Sequence, residues 1–110
     1  MNVSTLGSPQ ELTVDGGDRV TLPCRDRLGG TVRWCSTRSR EAPHNVIFDR
    51  NAVDSKYMNK VTVNIDSSSR DYNLSLHAVQ LNDYGWYICY IEYDDGRTFK
   101  HPVLLTVRGK

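Results

Sequence analysis

Residues 74–89, LSLHAVQLNDYGWYIC, decide the fold of this chain. Apolar residues alternate with polar ones at its start, which is the period of a half-buried strand. The stretch then ends in a D-x-G-x-Y-x-C motif formed by Asp83, Gly85, Tyr87 and Cys89. Tyr87, Cys89 and Ile91 continue the alternation, so they predict one inward face of a later strand.

The same alternation recurs along the chain between turn clusters, and no stretch has a sustained helical period. It appears in Val20-x-Leu22-x-Cys24, in Val32-x-Trp34 and in Val103, Leu105 and Val107. Short strands of this kind, separated by glycine- and aspartate-rich turns, are typical of a β-sandwich or barrel. The sequence therefore predicts an all-β fold.

Trp34 lies ten residues after Cys24, on a strand that precedes the quoted stretch. Together with the D-x-G-x-Y-x-C motif, this arrangement resembles the variable-set immunoglobulin family over nearly the entire chain. The resemblance implies an antiparallel V-type sandwich, a Cys24–Cys89 disulfide between its sheets, and Trp34 packed on that disulfide. It also implies a tyrosine corner at Tyr87 and a pairing of Asp83 with Lys60 at the start of strand D.

Length and spacing bound the domain organisation. The 110 residues have room for one core, so we expect a single domain over residues 1–110. About 35 residues separate Trp34 from the E-strand run, which leaves room for the C′ and C″ strands of a variable-type sheet.

Composition excludes several functions and favours an extracellular place. Lys and Arg number 14 against 13 Asp and Glu, which argues against a nucleic-acid partner. Apolar runs are too short for a transmembrane span, and no secretory signal follows Met1. We expect an excised ectodomain, at the outer side of the plasma membrane through an anchor outside this sequence, or secreted. Sequons at Asn2 and Asn73 agree with that compartment.

Two features indicate which variable-type domain this is. Residues 97–102, RTFKHP, lack the Phe-Gly-x-Gly bulge of rearranged antigen receptors. The tripeptide Arg33-Trp34-Cys35 and the DYGWYIC segment resemble the polymeric immunoglobulin receptor, the leukocyte mono-immunoglobulin-like receptors and the myeloid triggering receptors. Those relatives pair the extra cysteine across strands C and C′, but this chain has three cysteines, so a teleost novel immune-type receptor is the alternative.

Alternation also predicts a binding face. If Tyr87, Cys89 and Ile91 point inward, their neighbours on strand F and those of Trp34 on strand C point outward. The outer face of the sheet formed by strands G, F, C and C′, here named the GFCC′ face, should then expose Arg33, Cys35, Trp86, Ile88 and Tyr90. Aromatic residues in register favour an interface. The competing interpretation is that the C–C′ connection folds over Trp86.

Cys35 allows three interpretations: a partly covered free thiol, an intermolecular disulfide, or a catalytic cysteine. The last is disfavoured because strand geometry places no histidine beside it. No acid–base pair or phosphate loop supports an enzyme, and no cofactor is expected.

The F–G loop is the counterpart of the third hypervariable loop, and its candidate contacts are Glu92, Tyr93, Asp94, Asp95 and Arg97. It supplies too few oxygens for a calcium site, and the three histidines lack metal-ligand spacing, so no metal is predicted. We expect a solvated hairpin tip that touches ligand through Tyr93.

Three functions compete. The first is an immune-type cell-surface receptor that recognises a protein ligand or counter-receptor, and forms homodimers, through the GFCC′ face. The second is homophilic cell adhesion. The third is recognition of a lipid or glycan by the loop end, where Arg25, Arg27, Arg33, Arg38 and Arg40 cluster.

Overall fold

A computed structural model describes residues 3–5, 10–39 and 44–109. Its strands are β1 Val3–Thr5, β2 Gln10–Asp15, β3 Val20–Leu22, β4 Thr31–Thr37, β5 Asn45–Asp49, β6 Ala52–Val53, β7 Val61–Asp66, β8 Asp71–Leu76, β9 Gly85–Glu92 and β10 Thr98–Arg108. Two 3-10 helices, Ser55–Tyr57 and Leu81–Asp83, lie in the connections.

The strands form two sheets. The larger has the order β1-β10-β9-β4-β5-β6, with β2 also pairing with β10, and the smaller has the order β3-β8-β7. Strands β10, β9, β4 and β5 correspond to G, F, C and C′, and β6 supplies a short C″. The predicted V-type sandwich is therefore confirmed, including the strands that distinguish it from a constant-type domain.

The core lies between the sheets and is built from the residues that alternation placed inward. A disulfide joins Cys24, just after β3, to Cys89 in β9. Trp34 in β4 is fully buried, and its Nε1 donates a hydrogen bond to the carbonyl of Tyr72, 2.8 Å away. The indole is thus satisfied although it has no contact with water. Leucine, isoleucine and valine side chains from both sheets complete this cluster.

The D-x-G-x-Y-x-C motif ties the start of β9 to the smaller sheet. Tyr87 donates its hydroxyl hydrogen to the carbonyl of Asp83 at 2.6 Å, which is the predicted tyrosine corner. The Asp83 carboxylate lies 2.5 Å from Lys60 Nζ, beside the first residue of β7, as predicted. The same carboxylate accepts the backbone N–H of Gln80, so it caps the second 3-10 helix as well.

Strand β10 changes partner at Pro102. Residues 98–100 pair with β1 and residues 103–108 pair with β2, both parallel. Pro102 lies in the gap between these two pairings, where its missing N–H breaks neither ladder. Here a proline occupies the region in which rearranged receptors carry their glycine bulge.

Gly85→Ala should destabilise the domain, because Gly85 has φ +132° and an added Cβ would lie 2.9 Å from the Thr37 carbonyl oxygen. We expect a loss of about 1–3 kcal/mol in the free energy of unfolding, measured by urea denaturation. Gly16→Ala is the control, since its Cβ would lie 3.5 Å from the nearest atom, the Arg108 carbonyl oxygen. Equal stability of the two variants would contradict this assignment.

Tyr87→Phe should change the alkaline stability of the domain. Burial, and then the charge of Asp83, raise the pKa of Tyr87 well above its ordinary value of 10.0. A group whose pKa is higher in the folded than in the unfolded state stabilises the protein fully at pH values below the unfolded-state pKa. For Tyr87 this contribution is lost progressively as the pH rises above about 10. In this pH range, the free energy of unfolding of the wild type should therefore fall more steeply with pH than that of Tyr87→Phe. The exposed Tyr84→Phe serves as control, and parallel pH profiles of wild type and Tyr87→Phe would refute the expectation.

Candidate functional site

The strand registers confirm that the predicted interface residues share the outer face of the larger sheet. Between β4 and β9, Arg33 is opposite Tyr90, Cys35 is opposite Ile88, and Thr37 is opposite Trp86. Strand β10 extends these three rows by Lys100, Pro102 and Leu104, respectively. On the other side, β5 adds Val46 to the middle row, opposite Cys35. The GFCC′ face is therefore an apolar middle row between two rows that carry aromatic rings.

The prediction that this column is exposed is wrong for two of its members. Ile88 is 4% exposed and Cys35 is 3% exposed, although neither belongs to the core between the sheets. Trp86 and Tyr90 are half-buried. Ile88 and Cys35 lie opposite each other on two paired strands inside the sheet, in the row between Trp86 and Tyr90. Residues 40–43 of the C–C′ connection, which the competing interpretation folds over Trp86, lie outside the described residues.

Tyr90 forms the upper edge of this covered row. The guanidinium of Arg33 lies 5.4 Å from the centre of the Tyr90 ring, and the Tyr90 hydroxyl lies 3.3 Å from His44 Nε2. The pKa of Tyr90 is raised, mainly because its side chain is partly buried, so the phenol stays neutral. Arg33 also pairs with Glu92 at 3.4 Å, and together these contacts hold the upper row in place.

Cys35 is a free thiol with less exposure than the sequence suggested. Its neighbour across the β4–β5 ladder is Val46, so the second bridge of the resembling receptors has no partner at this position. Burial raises the pKa of the Cys35 thiol, with Arg33 acting in the opposite direction. A covered, protonated thiol is a poor nucleophile, which fits the interpretation of Cys35 as a small apolar residue.

The F–G loop forms the expected hairpin tip. Tyr93 and Arg97 are joined by a backbone hydrogen bond of 2.9 Å, and Gly96 supplies a positive φ of 89°. Asp95 accepts the backbone N–H of Arg97 and pairs with its Nε at 2.7 Å, and these hydrogen bonds lower the pKa of Asp95. Within the described ranges, no group of His, Cys, Asp and Glu could hold a metal ion.

Tyr93 is half-buried, and part of its side chain is in contact with other residues of the domain. Its hydroxyl donates to Oδ1 of Asp26 at 3.1 Å, and its ring meets Phe99 edge-on at 5.4 Å. Burial, followed by the hydrogen bond to Asp26, raises the pKa of Tyr93. The ligand contact through Tyr93 stays a prediction, since the side chain keeps part of its surface exposed.

Sequence reasoning missed Asp26, which joins the B–C and F–G loops. Asp26 is 2% exposed, and its Oδ1 also accepts the backbone N–H groups of Leu28 and Gly29 at 3.2 and 3.0 Å. Gly30 completes this junction, since an added Cβ would lie 2.7 Å from the Glu92 carbonyl oxygen. The available signal was an aspartate followed at short range by two glycines, a pattern in which the side chain caps a turn.

The sequon at Asn73 lies on the smaller sheet, as predicted, but Asn73 is half-buried instead of exposed. Its Oδ1 accepts the backbone N–H of Cys24 at 3.1 Å. Ser75 is fully buried and shares a hydrogen bond of 2.9 Å with Thr21. Asn2 lies outside the described residues, as does Arg40.

Most loop-end arginines are engaged within the protein. Arg25 pairs with Asp71 at 2.8 Å, and Arg38 stacks over Tyr84 at 4.1 Å while donating to the carbonyls of Asn82 and Tyr84. Arg27 has no carboxylate partner among the described residues. Among the described arginines of the cluster that favoured lipid or glycan recognition, Arg25 and Arg33 are in ion pairs, whereas Arg27 and Arg38 have no carboxylate partner in the described ranges.

Cys35 should resist thiol reagents in the native domain, because its sulfur is covered and its pKa is raised. A chromogenic disulfide reagent should react slowly with the folded protein and label one thiol per chain after denaturation. Cys35→Ala provides the blank for both conditions. Fast labelling of the folded protein, or a covalent dimer on a non-reducing gel, would show that the thiol is accessible.

A comparison with protein families matches residues 7–108 to the immunoglobulin V-set domain. The matched region contains every core and face residue described above. No helix in the described part of the chain is long and apolar enough to cross a membrane.

Proposed function

We propose that this chain, which belongs to the immunoglobulin V-set family, is the ligand-binding ectodomain of an immune-type cell-surface receptor. Domains of this family serve as ligand-binding or adhesion ectodomains, are typically extracellular and are generally non-enzymatic. The proposal adds that residues 1–110 act as one binding unit on the outer side of the plasma membrane, or as a secreted protein. The Arg33-Trp34-Cys35 tripeptide supports a place near the polymeric immunoglobulin receptor group.

The recognition surface in this proposal is the GFCC′ face, and its covered middle row is the observation that carries it. Pro102, Ile88 and Cys35 form a floor that is already packed before any partner arrives. Trp86 and Tyr90 border this floor and retain part of their surface for contact. A packed floor with aromatic borders loses little side-chain entropy on binding, which favours affinity.

Because Ile88 is buried, we expect the neighbouring residues to contribute most of the binding free energy. Interface hot spots are enriched in tryptophan and tyrosine and lie near the centre of the contact. Trp86 and Tyr90 fit that description, and Val46, which is 39% exposed, extends the apolar surface onto β5. Arg33, Glu92 and Lys100 supply a charged border that would orient a protein partner.

Val46→Glu tests this face and leaves its buried floor, formed by Pro102, Ile88 and Cys35, unchanged. A buried, unpaired carboxylate in an interface is costly, so we expect loss of self-association or of binding to cells that the unmodified domain stains. The matched control is Ile65→Glu on β7, where the side chain is 46% exposed on the other sheet. Sedimentation velocity measures the first property, and flow cytometry with a fluorescent multimer of the domain measures the second.

The two variants separate the outcomes. Loss of binding with Val46→Glu and its retention with Ile65→Glu supports the GFCC′ face. Equal behaviour of both variants contradicts it. If the sole binding observed is self-association, the homophilic adhesion function replaces the receptor for a separate protein ligand, with the same face as its contact.

A further inference from the structure

A groove outside the GFCC′ face runs between the inner side of β10 and the segment that follows β3. Its lining includes Pro23, Arg27, Leu28, Tyr93, Phe99 and His101, and its volume is about 760 Å³. Small-molecule sites in proteins occupy about 300–1,000 Å³. We name it the edge groove. Phe99 and His101 alternate with the outward residues of β10, so an occupant of the edge groove and a partner on the GFCC′ face would not compete.

The walls of the edge groove combine apolar surface with one unsatisfied polar atom. Pro23, Leu28 and Phe99 are apolar, and Leu28 is largely exposed. His101 lines the groove, but its Nε2 is covered and has no hydrogen-bond partner among the described residues. The polar contact that an occupant can reach is therefore on another residue of the lining.

The charges of the lining residues indicate the sign of the charge that a ligand should carry. Arg25 and Arg27 both line the groove, together with Asp71. Because Arg25 is paired with Asp71 at 2.8 Å, the guanidinium of Arg27 is the charge left without compensation among the described residues. A single planar cation in an otherwise compensated lining matches one carboxylate, which Arg binds in bidentate geometry.

We propose that the edge groove binds a small amphiphilic carboxylate. Its acyl or aromatic body packs against Pro23, Leu28 and Phe99, and its carboxylate is held by Arg27. A doubly charged phosphate would leave one negative charge without a cation in this lining, so it fits less well.

Octanoate titrated into the folded domain, with the imidazole signals of histidine followed by NMR, tests the proposal. We expect a saturable shift of the His101 signals, while His44 and His77, on other surfaces, stay unchanged. Octyl glucoside and octyl phosphate are comparison ligands with the same chain and a neutral or dianionic head group, respectively. Both should bind more weakly than octanoate. Arg27→Ala should weaken octanoate binding about tenfold, since a charged hydrogen bond is lost.

Arg19→Ala, which removes an exposed arginine remote from the groove, should leave octanoate affinity unchanged. The proposal is overturned if the His101 signals do not shift, if all three histidines shift alike, or if Arg27→Ala binds octanoate like the wild type. Equal affinity for octyl glucoside or octyl phosphate would overturn the carboxylate assignment. None of these results depends on the GFCC′ face, because Arg27 lies outside it.

Discussion

The disulfide between Cys24 and Cys89 is the constraint on which the rest of the structure depends. It joins the two sheets through the strands that lie beside Trp34, and so sets the spacing at which the core packs. In the chain-entropy model, a loop of this length stabilises the fold by about 4 kcal/mol. Because Cys89 is held on the inner side of β9, Ile88 and Tyr90 must lie on the outer side.

A second group of contacts holds the lower end of β9. Lys60, Asp83 and Tyr87 connect β7, a 3-10 helix and β9, and Gly85 allows the chain to pass close to the Thr37 carbonyl. These residues touch no proposed ligand. They hold the start of β9 beside the smaller sheet, so the proposed recognition by the GFCC′ face would depend on residues that a partner does not contact.

The sequence predicted the parts of this molecule that follow from local spacing. Alternation correctly gave the inward faces of the strands, and the resemblance to variable-set immunoglobulin domains correctly implied the sandwich, the disulfide and the pairing of Lys60 with Asp83. The exposure of Ile88 could not be predicted, since it depends on which residues of β4 and β10 lie opposite Trp86 and Tyr90. Asp26 was missed for a related reason: its partner Tyr93 is 67 residues away. The face on which a side chain lies follows from its position in its own strand. Its exposed fraction depends also on the residues of neighbouring strands, which are distant in the sequence.

The junction of Asp26, Gly30 and Tyr93 has a consequence for how such a domain could diversify. Residues that secure one loop to another cannot vary independently, because a change at Tyr93 removes one of the three donors to the buried carboxylate of Asp26, the one that comes from the F–G loop. Tolerated variation at this end is thereby concentrated in the solvent-facing tips, residues 27–28 and 94–97. Descendants of this gene would inherit a common loop framework and differ in a few tip side chains, so divergence of specificity would proceed by point substitution rather than by change of loop shape.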